Sequence, residues 1–82
     1  METSDALCRT VKYWLLRDRI KASAELIQPG VASEMARMTG KQVRLLVNKM
    51  LGADIPNGPV FEAMGLMAEA LESKVASLTD KR

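Results

Sequence analysis

The sequence predicts an all-α fold, a small domain of four helices. Apolar residues recur at spacings of three and four along most of the chain, which is the period of an amphipathic helix. A glycine or a proline interrupts the pattern at three points, and little strand-like sequence lies beside them. The 82 residues are expected to form a single domain with a marginal core, and association with another chain is the usual remedy at this size.

The first helix is predicted over residues 5–28, with Ser4 as its N-cap and Pro29 after its last turn. Its apolar residues lie on two faces that are turned well away from each other. The first face consists of Leu7, Val11, Trp14 and Leu15, and the second of Leu16, Ile20, Ala24 and Ile27. Because no glycine or proline interrupts this segment, one long helix is favoured over a bend near residue 18. Burial on both faces would indicate a partner subunit.

Residues 31–51 predict a helical hairpin, with helices over 31–39 and 41–51. Gly40 can supply the left-handed backbone conformation that a sharp turn between helices often needs. Ala36 is small enough for the two helices to cross closely. The second helix has apolar residues at the spacing i, i+3, i+4, i+7, which predicts a stripe that faces the core. That stripe consists of Val43, Leu46, Val47 and Met50.

The hairpin is also the most basic part of the chain. Residues 29–52 contain four basic residues and one acidic residue, whereas residues 1–28 contain five and four, and residues 53–82 contain three and five. A surface that faces phosphates requires such an excess, and Arg, Lys, Gln and Asn are the types that pair with base edges. Leu45, on the same face, suits a thymine methyl group and a protein-binding surface equally. The candidate DNA-binding residues are Arg37, Lys41, Gln42, Arg44, Leu45, Asn48 and Lys49.

The hairpin resembles the helix-turn-helix of DNA-binding proteins, in particular the small regulators of phages and plasmids. The residues that carry the resemblance are Ala36, Gly40, Leu46 and Met50. It covers about a quarter of the chain, and it departs from the family pattern at Lys41 and Lys49, where apolar residues are preferred. The resemblance implies a regulator of transcription that binds a palindromic site on double-stranded DNA as a homodimer.

A loop is predicted over residues 52–59, followed by a last helix over residues 60–78. This helix has a heptad seam, in which the spacing alternates between three and four. The seam consists of Phe61, Met64, Ala68, Leu71, Val75 and Leu78. The helix either covers the rest of the domain or pairs with its copy in a dimer. This helix spans roughly 28 Å, which is longer than the hairpin that it would cover. Dimerisation is therefore favoured. Residues 80–82 are expected to be a frayed tail.

The composition argues against an enzyme, a metal site and a membrane protein. There is no histidine and only one cysteine, Cys8, so the chain lacks ligands for zinc and a partner for a catalytic thiol. Cys8 and Trp14 are both expected to be buried, and no cofactor is expected. No apolar run approaches the length of a membrane span, and the acidic N-terminus is unlike a signal peptide, so a cytoplasmic location is expected. The alternative to DNA binding is a helical modulator or inhibitor that docks on another protein through an apolar surface.

Overall fold

The computed structural model describes residues 2–79, with side chains described from residue 7 onward. Over this range the chain forms four α-helices and no strand, which confirms the predicted all-α fold. The helices are α1 (Glu2–Ile27), α2 (Val31–Met35), α3 (Gly40–Leu51) and α4 (Val60–Thr79). None of these helices is both long enough and apolar enough to span a membrane. The tail predicted over residues 80–82 lies outside the described residues.

The first segment is one uninterrupted helix, as the absence of glycine and proline predicted. It begins at Glu2, so Ser4 lies within the first turn and not at the predicted cap position. α1 packs along α4, and two contacts between them show that the helices run in the same direction. The Lys12 ammonium lies 5.2 Å from the centre of the Phe61 ring, near the start of α4. Further along both helices, Arg19 and Glu72 form a bidentate ion pair with distances of 2.7 and 2.9 Å.

The core lies between α1, α4 and the shorter helices. α1 contributes the second of its two predicted apolar faces, and α3 contributes its predicted stripe, with Val43 and Val47 buried and Leu46 and Met50 partly buried. The residues with no exposed surface are Ile20, Ala24, Met35, Val47, Ala68 and Leu71. Each large apolar side chain that is removed from water contributes roughly 1.5–3 kcal/mol, so this cluster is the main source of stability.

The α4 seam is buried inside one chain, which corrects the prediction that it forms a dimer interface. Met64, Ala68 and Leu71 are at most 4% exposed. Phe61 and Val75 are partly buried, and only Leu78, at the end of the seam, is half exposed. The length argument failed because it compared α4 with the hairpin alone, whereas the 26 residues of α1 are long enough to cover it. Dimerisation itself stays a prediction, but the centre of this seam is not free to mediate it.

The other apolar face of α1 is uncovered, which corrects the expectation that Cys8 and Trp14 are buried. Cys8 is exposed, and Trp14 is 53% exposed. All six residues from 7 to 12 are exposed, and six residues cover every side of a helix. This end of α1 therefore extends past the other helices, and the molecule is elongated, with dimensions of 51 × 22 × 22 Å.

Candidate nucleic-acid interface

Two side chains of α1 fix the position of α2. The Glu25 carboxylate accepts hydrogen bonds from the amides of Gly30 and Ala32, at 2.8 and 3.0 Å, at the start of α2. The Arg17 guanidinium donates to the carbonyls of Met35 and Met38, at 2.6 and 2.8 Å, at its end. An acid at the N-terminus and a base at the C-terminus both match the helix dipole. A five-residue helix is too short to be stable alone, and α1 supplies the groups that cap it.

The charge on Glu25 is stabilised by these contacts. The amide of Gly30, followed by that of Ala32, lowers the pKa of the Glu25 carboxyl below its usual value. Gly30 has a φ of 94°, a left-handed conformation that directs the chain from α1 into α2. The junction between α1 and α2 therefore depends on one ionised carboxylate and one glycine.

The turn between α2 and α3 differs from the predicted one. α2 ends at Met35, four residues earlier than predicted, because the amides of Arg37 and Met38 bond to carbonyls three residues back. The turn leads into α3 through a capping box. The Thr39 hydroxyl accepts from the amide of Gln42 at 3.3 Å, and the Gln42 side chain accepts from the amide of Thr39 at 2.9 Å. Gln42, a candidate for pairing with adenine, is thus engaged at the start of its own helix.

Neither of the two small residues has the role that the resemblance implied. Gly40 is the first residue of α3 and does not have a positive φ; among the described residues, positive φ occurs at Gly30 and Gly52. A Cβ atom on Gly40 would meet nothing within 4 Å. Ala36 is exposed, so no close helix crossing depends on it. The corner is made by the capping box and the bonds to α1, and its glycine is dispensable.

Arg44 and Asn48, two further base-pairing candidates, bind the chain's own backbone. The Arg44 guanidinium donates to the carbonyl of Ile55 at 2.9 Å, and the Asn48 side-chain oxygen accepts from the amide of Ile55 at 2.9 Å. Both residues are partly buried. Together they clamp the loop between α3 and α4 and direct the Ile55 side chain, which is 7% exposed, into the core. These two predicted DNA contacts therefore have a structural role.

The remaining candidates face solvent around the α2–α3 corner, which comprises residues 31–51. Lys41, Leu45 and Lys49 follow each other at intervals of four residues, so they form one exposed stripe along α3. Arg37 is exposed in the turn, where it borders the same shallow cavity as Gln42 and Glu34. None of the three cations makes an ion pair or hydrogen bond to another described residue.

Three residues that organise this site were missed by the sequence reasoning. Arg17 is 6% exposed and lies in the sequence between the core residues Leu16 and Ile20. A buried cation needs fixed hydrogen-bond acceptors, so the position of Arg17 among core residues was the signal that could have indicated its role. Glu25 and Ile55 gave no comparable signal, because the Glu25 carboxylate binds backbone amides of the next segment and Ile55 binds side chains of α3 through its own amide and carbonyl. Among the described residues, no group of three acidic or cysteine side chains is placed to bind a metal.

No family model, curated protein or solved structure matches the chain.

Proposed function

We propose that the protein is a cytoplasmic DNA-binding protein that regulates transcription, in the manner of the small helix-turn-helix regulators of phages and plasmids. The α2–α3 corner would contact the duplex. The proposal rests on one observation, the three exposed cations Arg37, Lys41 and Lys49 that have no partner among the described residues. Their charge is available to phosphates at no cost in broken internal ion pairs.

The proposed contact is mainly with phosphates, because few side chains remain to contact bases. Arg44 and Asn48 are engaged with Ile55, and the Gln42 side chain is engaged with the Thr39 amide in the capping box. Of the exposed side chains of α3 that remain, Lys41 can reach guanine and Leu45 can contact a thymine methyl group. Specificity between sequences is therefore expected to be modest.

A salt titration of binding to duplex DNA tests the proposal. Each neutralised phosphate contributes about −0.9 to the slope of log K against log salt, so three contacts give a slope of roughly −2.7 per protomer. Affinity should then fall about 40-fold between 50 and 200 mM salt. Lys49→Ala should reduce the slope by about one contact for all sequences alike. An unchanged slope in Lys49→Ala, Lys41→Ala and Arg37→Ala would contradict the proposed surface.

Two control variants separate a phosphate contact from a general effect. Lys74→Ala removes a cation from α4, outside the corner, and should leave the slope unchanged. Asn48→Ala removes the acceptor of the Ile55 amide, so it should lower the free energy of unfolding by about 1–2 kcal/mol. It should nevertheless preserve the salt slope at a temperature where the variant is folded. If Asn48→Ala instead changed the preference among DNA sequences, the structural role of this residue would be wrong.

A second candidate function is favoured by Leu45, which is 52% exposed at the centre of the outer face of α3. An apolar residue between two lysines also suits a site that docks on another protein, so the protein would be a modulator or inhibitor. Leu45→Ala distinguishes the two functions. It should leave the salt slope of DNA binding intact, whereas it should weaken docking on another protein. Failure of the wild-type protein to bind duplex DNA at low salt would leave the docking function in its place.

A further inference from the structure

One apolar face of α1 is left exposed to solvent by the fold. The α1 stripe consists of Leu7, Val11, Trp14 and Leu15, which are 62%, 56%, 53% and 59% exposed. The four residues lie on the side of the helix opposite to Leu16 and Ile20, so none of the other described helices packs on them. Their exposure is not explained by the DNA-binding proposal, which concerns a different helix.

Within the α1 stripe, Trp14 is held in position by neighbours on its own helix before any partner binds. The edge of the Tyr13 ring meets the Trp14 ring at 89°, with the ring centres 5.4 Å apart. The Arg17 guanidinium, which is fixed by its bonds to α2, lies 5.8 Å from the centre of the same ring. A side chain that is already restricted loses little conformational entropy when it enters an interface. Trp14 is therefore suited to be buried by association.

The area of the α1 stripe fits a small, reversible interface. The exposed part of each side chain amounts to on the order of 100 Å², so the stripe offers roughly 400 Å² per protomer. The largest apolar patch of a monomeric protein is about 300–600 Å² and is often functional. Stable interfaces bury about 800 Å² on each partner, so a weaker, reversible complex is expected.

The spacing of the α1 stripe is complementary to itself. When two copies of α1 pack antiparallel with Val11 beside the partner's Val11, Leu7 lies opposite the partner's Leu15. Cys8 then lies opposite the partner's Trp14, so a small apolar side chain meets a large one. Every member of the stripe acquires an apolar neighbour, and Asp18 remains outside the apolar part.

The charge of Asp18 also favours antiparallel packing of two copies. Asp18 is exposed and lies on the same side of α1 as the stripe, one turn beyond Trp14. Antiparallel packing around Val11 places it beside residue 4 of the second copy. Parallel packing in register would place the two Asp18 carboxylates together.

From these observations we propose that the α1 stripe is a homodimer interface, and that it is covered by α1 of a second copy packed antiparallel around Val11. This proposal does not depend on DNA binding. The proposed dimer interface is a surface that the fold leaves uncovered, in place of the α4 seam.

Sedimentation velocity between about 1 and 300 µM tests the assembly. The wild-type protein should change from monomer to dimer over this range, and the fluorescence emission of Trp14, the only tryptophan, should shift to shorter wavelength. Val11→Asp places two carboxylates together at the centre of the interface and should raise the dissociation constant at least about 30-fold. Because Val11 is largely exposed in the protomer, the helix content of this variant should not change. The control is Leu26→Asp, which alters an equally apolar residue, 70% exposed, outside the stripe; its dissociation constant should stay within about twofold of wild type.

Disulfide cross-linking in a Cys8→Ser background tests the orientation and does not require a destabilising substitution. Val11→Cys should cross-link, because this position lies beside itself. Leu7→Cys alone should not cross-link, whereas Leu7→Cys combined with Leu15→Cys should. A monomer over the whole concentration range would overturn the proposal, as would cross-linking of Leu7→Cys alone. If Leu26→Asp dissociated the dimer and Val11→Asp did not, the interface would lie elsewhere, and this result would also overturn the proposal.

Discussion

Residue type alone does not determine whether a polar side chain faces a ligand or the chain's own backbone. Arg44 and Asn48 were assigned to DNA because their donors and acceptors fit base edges. The same atoms fit the carbonyl and the amide of Ile55, and the structure uses them there. Buried backbone groups must be paired, and a loop that packs on a helix takes partners from the nearest face of that helix. The buried Nε of Arg44 has no partner among the described residues, so the clamp satisfies this side chain only in part.

Glu25 gives a prediction about the dependence of stability on pH. Its folded-state pKa is lowered, so its contribution to stability is fully present above the unfolded-state pKa and is lost as the pH falls through the folded-state pKa. Glu25→Gln should therefore be less stable than wild type at neutral pH, and the difference should narrow as the pH falls below the usual pKa of a glutamate, 4.5, and through the lowered folded-state pKa. Denaturant titrations at several pH values measure this difference. Glu72, whose pKa is lowered by the hydrogen bonds from Arg19, titrates in both proteins and cancels in the comparison. A difference that stays constant over this range would mean that the charge of Glu25 does not stabilise the junction.

At the scale of elements, local sequence patterns predicted the helices but did not predict which parts of the chain they contact. The continuity of α1 and the core stripe of α3 followed from the absence of breakers and from periodicity. The bounds of α2 were wrong, because the amides of Arg37 and Met38 bond to carbonyls three residues back, and Arg17 binds the carbonyls at this end of the helix. The assignment of the α4 seam to a dimer was wrong because periodicity shows which face is buried but not what covers it. The candidate DNA-binding residues were predicted to form one surface. In the structure, this surface consists only of the candidates whose side chains make no hydrogen bonds to other described residues.

The glycines at the two ends of α3 provide a matched pair of substitutions. Gly40 is in helical conformation with open space around its Cβ position, so Gly40→Ala should stabilise the protein by about 0.4–1 kcal/mol. Gly52 has a φ of 64° in the C-cap, so Gly52→Ala should destabilise it by about 1 kcal/mol. Thermal unfolding of the two variants measures both effects. If Gly40→Ala were the more destabilising of the two, the corner would depend on a glycine turn, as the resemblance to helix-turn-helix proteins implied.

At the scale of the whole molecule, α1 connects the two proposed surfaces. Its first half presents the α1 stripe, and its second half caps both ends of α2 through Arg17 and Glu25. A dimer formed through α1 would therefore fix two α2–α3 corners relative to each other, because no flexible linker separates the stripe from the corner. DNA binding by a dimer could then use the cations of both corners at once.

This connection gives a prediction that requires both proposals together. Above its dimerisation constant, the wild-type protein should bind a long duplex with six phosphate contacts and a salt slope of roughly −5.4. Val11→Asp should bind as a monomer, with three contacts and a slope of roughly −2.7, although the substitution lies on α1 and outside the α2–α3 corner. Leu26→Asp should retain the wild-type slope, since it adds the same charge to the same helix without disrupting the dimer. Titrations at several salt concentrations, with the oligomeric state measured in the same buffers, give both quantities. A monomeric Val11→Asp with the full wild-type slope would show that the two corners act independently, and the dimer would then have a role other than DNA binding.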